Sequence, residues 1–221
     1  MTILFEDRAD AGRQLAERLA RMPLVRPLVL AIPRGGIEVA VPIAQHLGAE
    51  LDVVLARKLG APGQPEYALG ALSETGEVVM NPHAPALGDA ARQHLERERV
   101  RQGEEMVRRA RLFRGARPQA EVAGRSVVLV DDGIATGSTL LASLRAVRAR
   151  APREIVVAVP VAPRAALHEV RALCERLVCL HTPEEFWAVG TFYRDFEPVS
   201  DERVVERLAE SVRERDVHHP A

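Results

Sequence analysis

Residues Val127 to Thr139, VVLVDDGIATGST, run from aliphatic side chains into two adjacent carboxylates, then through a small glycine-containing turn into an amphipathic stretch, Leu140 to Arg150. That order predicts a strand, an acidic edge, an anion-binding loop and a helix. Ala135, Thr136, Gly137, Ser138 and Thr139 are small or hydroxyl-bearing, so backbone N–H groups can come close to a phosphate at the positive end of the following helix. Asp131 and Asp132 stand beside that position as acceptors. A phosphate needs donors and a sugar diol needs acceptors, so the pattern calls for one ligand carrying both groups. A ribose 5-phosphate meets that description.

The rest of the chain fits an α/β class, a Rossmann-like parallel sheet with helices on both faces and an inserted β-hairpin loop. Glu6 to Arg21 places Gly12, Leu15, Ala16 and Leu19 at helical spacing. Leu28 to Ile32 reads as a buried strand ended by PRGG, Pro33 to Gly36. A helix through Ile37, Ala40, Val41, Ala44 and Leu47 follows, stopping at Gly48, with Pro42 expected to kink or tighten it. Leu51 to Ala56 reads as the next strand. The same alternation returns in Ser126 to Arg150, Glu154 to Pro160, Arg164 to Leu173 and Arg176 to His181, which implies a parallel sheet. Ligands of such sheets bind beyond the carboxyl ends of the strands, where PRGG and DDGIATGST both fall.

Between these repeats, Lys58 to Asn81 carries two strand-like runs, Tyr67 to Leu72 and Glu77 to Met80, with a turn at Glu74 to Gly76 that predicts a hairpin. Gly88 to Arg117 is dense in mixed charges, with Glu104 and Arg108, and Glu105 and Arg109, at helical spacing, as on a solvated helix face. The aromatics are 4% of the chain, yet Phe186, Trp187, Phe192, Tyr193 and Phe196 fall in one segment. Ser200 to Arg215 reads as a packing helix. The expected organisation is one domain over 1–221, with a core of about 28–181 and with residues 182–199 and the terminal helices outside that core.

With 221 residues and 47% hydrophobic content the chain can bury a substantial core. A net charge of −1 argues against nucleic acid as the partner, because such binding draws on an excess of Lys and Arg over a whole face. The opening MTILFEDRADAGRQ lacks the apolar region of a signal peptide and no apolar stretch is long enough to span a bilayer, so no membrane and a cytoplasmic location are expected. Cys174 and Cys179 have neither the spacing nor the companions of a metal site and read as buried free thiols. The histidines are scattered, and His218 and His219 lie in a short tail.

The run VVLVDDGIATGST resembles the phosphoribosyl pyrophosphate signature of the type I phosphoribosyltransferases, in a poorly characterised branch of that family. The resemblance implies that Asp131 and Asp132 contact the ribose hydroxyls and, through ribose or water, a magnesium ion. It implies that Ala135 to Thr139 wrap the 5′-phosphate. Arg34, Gly35 and Gly36 would bind pyrophosphate, and the bond between Pro33 and Arg34 is the candidate for a non-proline cis peptide. Lys58, ahead of Arg57, would close over pyrophosphate from a mobile loop in which Glu66 and Tyr67 receive no assigned role.

The resemblance also implies a small hood over the base, at 182–199 with the N-terminal and C-terminal helices. Phe186, Trp187, Phe192 and Tyr193 are candidates to sandwich a planar base there, with a hydrophobic cluster sealing the sheet edge or a subunit contact as the alternative. Gly133 departs from the family, which usually has an aliphatic residue there. Ala135 departs from the Asp of hypoxanthine-guanine enzymes, so the base is left open. The implied activity is transfer of ribose 5-phosphate from phosphoribosyl pyrophosphate to a nitrogenous base with release of pyrophosphate, by a homodimer in nucleotide metabolism. The alternative is a regulatory protein that senses phosphoribosyl pyrophosphate without catalysis. A nucleotide hydrolase would call for GKS/GKT or G-x-S-x-G, and neither occurs.

Overall fold

The structure, a computed structural model, describes residues 3–62, 64–80 and 88–218; the side chains of 64–68, 90–91 and 214–218 lie outside the described set. The elements in chain order are α1 (Arg8–Leu19), β1 (Leu28–Ala31), α2 (Gly36–Leu47), β2 (Glu50–Val53), β3 (Ala56–Ala61), β4 (Gln64–Ser73) and β5 (Val78–Met80). There follow α3 (Asp89–Ala116), β6 (Ser126–Val130), α4 (Ser138–Arg148), β7 (Glu154–Val161), α5 (Arg164–Arg171), β8 (Arg176–His181) and α6 (Asp201–His218).

Five strands form a parallel sheet in the order β2-β1-β6-β7-β8. β1, LVLA, and β6, SVVLV, are buried at every position, which is why they read as continuous aliphatic runs rather than alternating ones. Successive side chains still part to opposite faces. Val29, Ala31, Val128 and Val130 pack with Leu15, Val39, Ile43, Val204 and Leu208 of α1, α2 and α6. Leu28, Leu30, Val127 and Leu129 pack with Leu140, Leu144, Leu167 and Val170 of α4 and α5. The expected sandwich of helices on both faces is therefore present.

Two outcomes around the insertion differ from the sequence reading. The strand predicted over Leu51 to Ala56 stops at Val53, and Ala56 opens β3 in a separate antiparallel sheet ordered β3-β4-β5. The expected two-stranded insertion is thus three-stranded, because ARKLGA pairs along β4 from Ala56↔Ser73 to Ala61↔Gln64. The predicted turn does close β4 onto β5, with Gly76 at φ 83° and its N–H donating to the carbonyl of Ser73. Asn81, the end of the predicted insertion, and His219 lie outside the described residues.

α3 is solvated along one side only. Met106 and Phe113 are buried in the core, and Arg108 pairs with Glu105 and Asp201 rather than with Glu104. Cys174 and Cys179 are free and half-buried, not fully buried.

The base of the antiparallel sheet is tied to the core by ions. Asp52 of β2 is 0% exposed and accepts from Val53 N (2.7 Å), Ala120 N (2.8 Å) and Arg114 Nη1 (2.7 Å). Arg114, near the end of α3, also donates to Glu74 in the β4–β5 turn and to the carbonyl of Val53. Burial, the largest influence on Glu74, holds its carboxyl above the usual range despite Arg114. Among the described residues no helix is long and apolar enough to cross a membrane.

Candidate active site

β1 and β6 are neighbours in register, Ala31 beside Val130, so the loops that follow them emerge side by side. Ile32 N donates to Val130 O at 2.8 Å and carries the pairing one residue further. The PRGG turn then bends straight into α2, and the bond between Pro33 and Arg34 is cis. Gly35 and Gly36 lie against the other loop. A Cβ on Gly35 would stand 1.9 Å from Asp132 Oδ2, and one on Gly36 would stand 2.9 Å from Val130 O. Only residues without a side chain let the two loops approach this closely. Arg34 is exposed at the rim.

The two carboxylates are half-buried and engaged differently. Asp131 Oδ1 accepts from the backbone N–H of Asp132 at 2.9 Å. Asp132 Oδ2 accepts from Arg8 Nε at 2.8 Å. Burial first, and the neighbouring Asp132 second, push the Asp131 carboxyl well above its ordinary range, while the backbone N–H and Arg8 act in the opposite direction. Burial also raises Asp132, against the guanidinium of Arg8.

After the carboxylates, Ala135, Thr136 and Thr139 are exposed, Ser138 is half-buried and Gly137 is buried in the left-handed conformation at φ 80°. Gly137 caps α4 with no side-chain bond to the first turn. Gly137 itself brings no side chain to the leading N–H groups of the helix, an arrangement that suits an anion.

Gly133 is explained by Val189: a Cβ on the glycine would meet its Cγ1 at 2.4 Å. The side chain missing from the loop is replaced by one arriving from residues 182–199. The peptide just beyond, Ile134 N, donates to Val161 O at 2.9 Å and ties the loop to the end of β7.

Arg57 and Lys58, expected at the end of a core strand, sit instead within β3 and, being consecutive, face opposite ways. Ala56 packs with Ala142 and Ala146 of α4, and Leu59 with Met106 and Phe113 of α3, so Lys58 lies on the α4 side and Arg57 on the α3 side. Arg57 shares a small cavity of about 40 Å³ with Pro33, Arg109 and Thr139. Alternation along the strand turns Lys58, the first choice of the two, to the other face of β3. The side chains of Glu66 and Tyr67 lie outside the described residues.

The four aromatic candidates separate into two kinds. Phe192 and Tyr193 are 4% and 5% exposed and pack with Phe5, Ala11 and Val161. Their faces are covered, as in the alternative of a sealed hydrophobic cluster, so neither is available to sandwich a base in this arrangement. Tyr193 Oη instead donates to the backbone carbonyl of Asp132 at 2.6 Å. Trp187 is 79% exposed and Phe186 is half-buried against Phe192, with ring centroids 5.2 Å apart. Of the four, only Trp187 has free ring faces.

Sequence reasoning missed Arg8. Its buried stripe-mates in α1 are Ala11, Gly12, Leu15, Ala16 and Leu19, so a cation extends an otherwise apolar face. A charge on the inner stripe of a helix was the available signal.

Among known proteins, the family described as phosphoribosyl transferase domain matches residues 5–197. The chain belongs to the phosphoribosyl transferase family. This phosphoribosyl transferase chain is 44% identical over 205 residues to two provisionally named phosphoribosyl transferases from two strains of Mycobacterium tuberculosis. The match takes in 91% of this chain and 46% of each relative, so the chain spans about half the length of the curated relatives it matches. The crystal structure of TT1426 from Thermus thermophilus is 49% identical and superposes with a TM-score of 0.89, covering 95% of this chain and 99% of that one. A mixed α/β fold with a five-stranded parallel sheet flanked by helices is thus the fold of this chain.

Proposed function

We propose that this phosphoribosyl transferase moves ribose 5-phosphate from phosphoribosyl pyrophosphate to a nitrogenous base and releases pyrophosphate. The observation that carries the reading is the contact of Gly35 with Asp132, which brings a glycine-lined turn against an acidic pair that leads, through Gly137, into the start of α4. Donors for a phosphate and acceptors for a diol then lie within reach of one small sugar.

In this reading the 5′-phosphate sits at residues 135–139, where the peptide dipoles of α4 point their positive end outward. Asp131 and Asp132 accept from the ribose hydroxyls. Pyrophosphate lies at Arg34, Gly35 and Gly36, with Arg57 beside it and Lys58 a second cation on the other face of β3. As the bond from C1 to pyrophosphate lengthens, the leaving oxygen takes the bonding pair and the ring carbon gains positive charge. The base nitrogen then donates its pair to C1. Arg34 and Arg57 stabilise the growing negative charge, and the two carboxylates remain near the growing positive one. No covalent enzyme intermediate is required.

Magnesium fits this donor set as a hard cation completed by ligand oxygens. Among the described residues no group of three or more His, Cys, Asp or Glu side chains is placed to hold a metal, so Asp131 and Asp132 would hold it through ribose or water. When bound it supplies charge neutralisation to the pyrophosphate oxygens.

The base would lie under the hood, with Trp187 as the ring able to stack on it. The test is a panel of purines, pyrimidines and other nitrogenous bases, each offered with phosphoribosyl pyrophosphate and magnesium while pyrophosphate release is followed. At least one base should release pyrophosphate, and the Asp131→Asn, Asp132→Asn double variant should release none. Tight binding of phosphoribosyl pyrophosphate with no turnover on any base would replace catalysis with sensing.

A further inference from the structure

Arg8 is fixed at three points. Its Nε donates to Asp132 Oδ2 at 2.8 Å, its Nη1 donates to the carbonyl of Glu197 at 2.9 Å, and its guanidinium carbon lies 3.7 Å from the centre of the Phe196 ring. The side chain is 10% exposed. A planar fork is suited to this combination, since it can bond at its edge while its face lies on a ring.

The consequence concerns which carboxylate oxygens are left. Asp131 Oδ1 takes the N–H of Asp132, and Asp132 Oδ2 takes Arg8. Among the described residues, no donor from another residue meets Asp131 Oδ2 or Asp132 Oδ1. One oxygen remains on each carboxylate, and a vicinal diol presents two O–H donors.

We infer that Arg8 is a positioning residue for the sugar, holding Asp132 by one oxygen so that the pair offers two fixed acceptors to the ribose diol. The inference rests on the ribose 5-phosphate reading proposed above. It assigns a sugar-recognition role to the first turn of α1, which lies 124 residues from the carboxylate it holds. Gly35 takes part, because a Cβ there would also stand 3.1 Å from Arg8 Nε and intrude on the same contact.

The experiment compares wild type, Arg8→Lys and Arg8→Met in calorimetric titrations with ribose 5-phosphate and its 2,3-dideoxy analogue, both with magnesium. Wild type should prefer the diol sugar by at least about tenfold, the scale of one charge-assisted bond. Arg8→Met should bring the two sugars within about twofold while holding the dideoxy analogue as well as wild type, and Arg8→Lys should fall between.

A folded Arg8→Met protein that keeps the wild-type preference overturns the inference and leaves the ribose 5-phosphate site standing. Wild type binding neither sugar, or both equally, overturns the site and the inference with it. Should Arg8→Met fail to fold, Arg8→Lys decides: a preference reduced at least about threefold supports the role of the fork, and an undiminished one refutes it.

Discussion

Gly35 lies so close to Asp132 that a Cβ on the glycine would stand 1.9 Å from the carboxylate oxygen Oδ2, the oxygen already bonded to Arg8. The loops after β1 and β6 are therefore interlocked through a side chain rather than merely adjacent. Gly35→Ala should displace the carboxylate before it disturbs the core, since the clash falls at the end of a side chain. We expect ribose 5-phosphate affinity to fall by at least about tenfold with a loss of stability under about 2 kcal/mol. Paired titration and denaturant unfolding would check this, and wild-type affinity in the variant would contradict it.

Asp131 gives a pH dependence whose sign can be worked out. Its carboxyl is raised in the folded chain, chiefly by burial and next by Asp132, relative to an ordinary value of 3.8. The ionised form is thus disfavoured by folding. That cost is fully present above the raised value and fades as pH falls toward 3.8. Asp131→Asn should stabilise the protein near pH 7, by about 1 kcal/mol or roughly 2–4 °C in Tm, with a smaller gain near pH 4. It should also weaken sugar binding. Equal gains in thermal melts at the two pH values would show that the stability effect does not come from this charge.

Asp52 and Arg114 hold the antiparallel sheet to the core. Asp52→Ala leaves Arg114 with Glu74 as its remaining carboxylate and orphans the buried N–H of Ala120, so it should cost about 1–3 kcal/mol. Replacing both residues should cost less than the sum of the two single changes. A double-mutant cycle by chemical denaturation measures this directly.

Trp187 and Phe192 stand close in sequence and should behave in opposite ways. Trp187, with its free faces, should tolerate Ala within about 0.5 kcal/mol of stability and show its effect in the KM for the base. Phe192→Ala should lose about 3–5 kcal/mol by opening the cluster with Phe5 and Tyr193. A stable Phe192→Ala protein with an altered base KM would return that ring to the list of base contacts.

Burial pattern determined what could be read ahead of the structure. β1 and β6 were legible because both faces of each are covered, which demands unbroken aliphatic runs, and PRGG and DDGIATGST were legible because they follow such runs. β3 was not. ARKLGA carries two cations and a glycine, and it is a strand because β4 pairs with it, a neighbour the local composition does not announce. Phe192 and Tyr193 were rightly grouped, yet their burial depends on Phe5 from the other end of the chain. The contact of Arg8 with Asp132 was hidden for the same reason. Periodicity reports which face of an element is covered, and it does not report what covers it.

The pairing of β1 directly with β6 has a consequence for how such a chain can change. Everything from the end of β2 to the start of β6 is a detour that leaves the sheet at the edge where PRGG and the acidic pair lie and rejoins it at the opposite edge, where Val127 stands beside Leu28. Lengthening, trimming or recolouring that detour would leave the spacing between PRGG and the acidic pair untouched. Tolerance to insertion should accordingly be high at the far turns of the detour and vanish at the two short bends that follow β1 and β6.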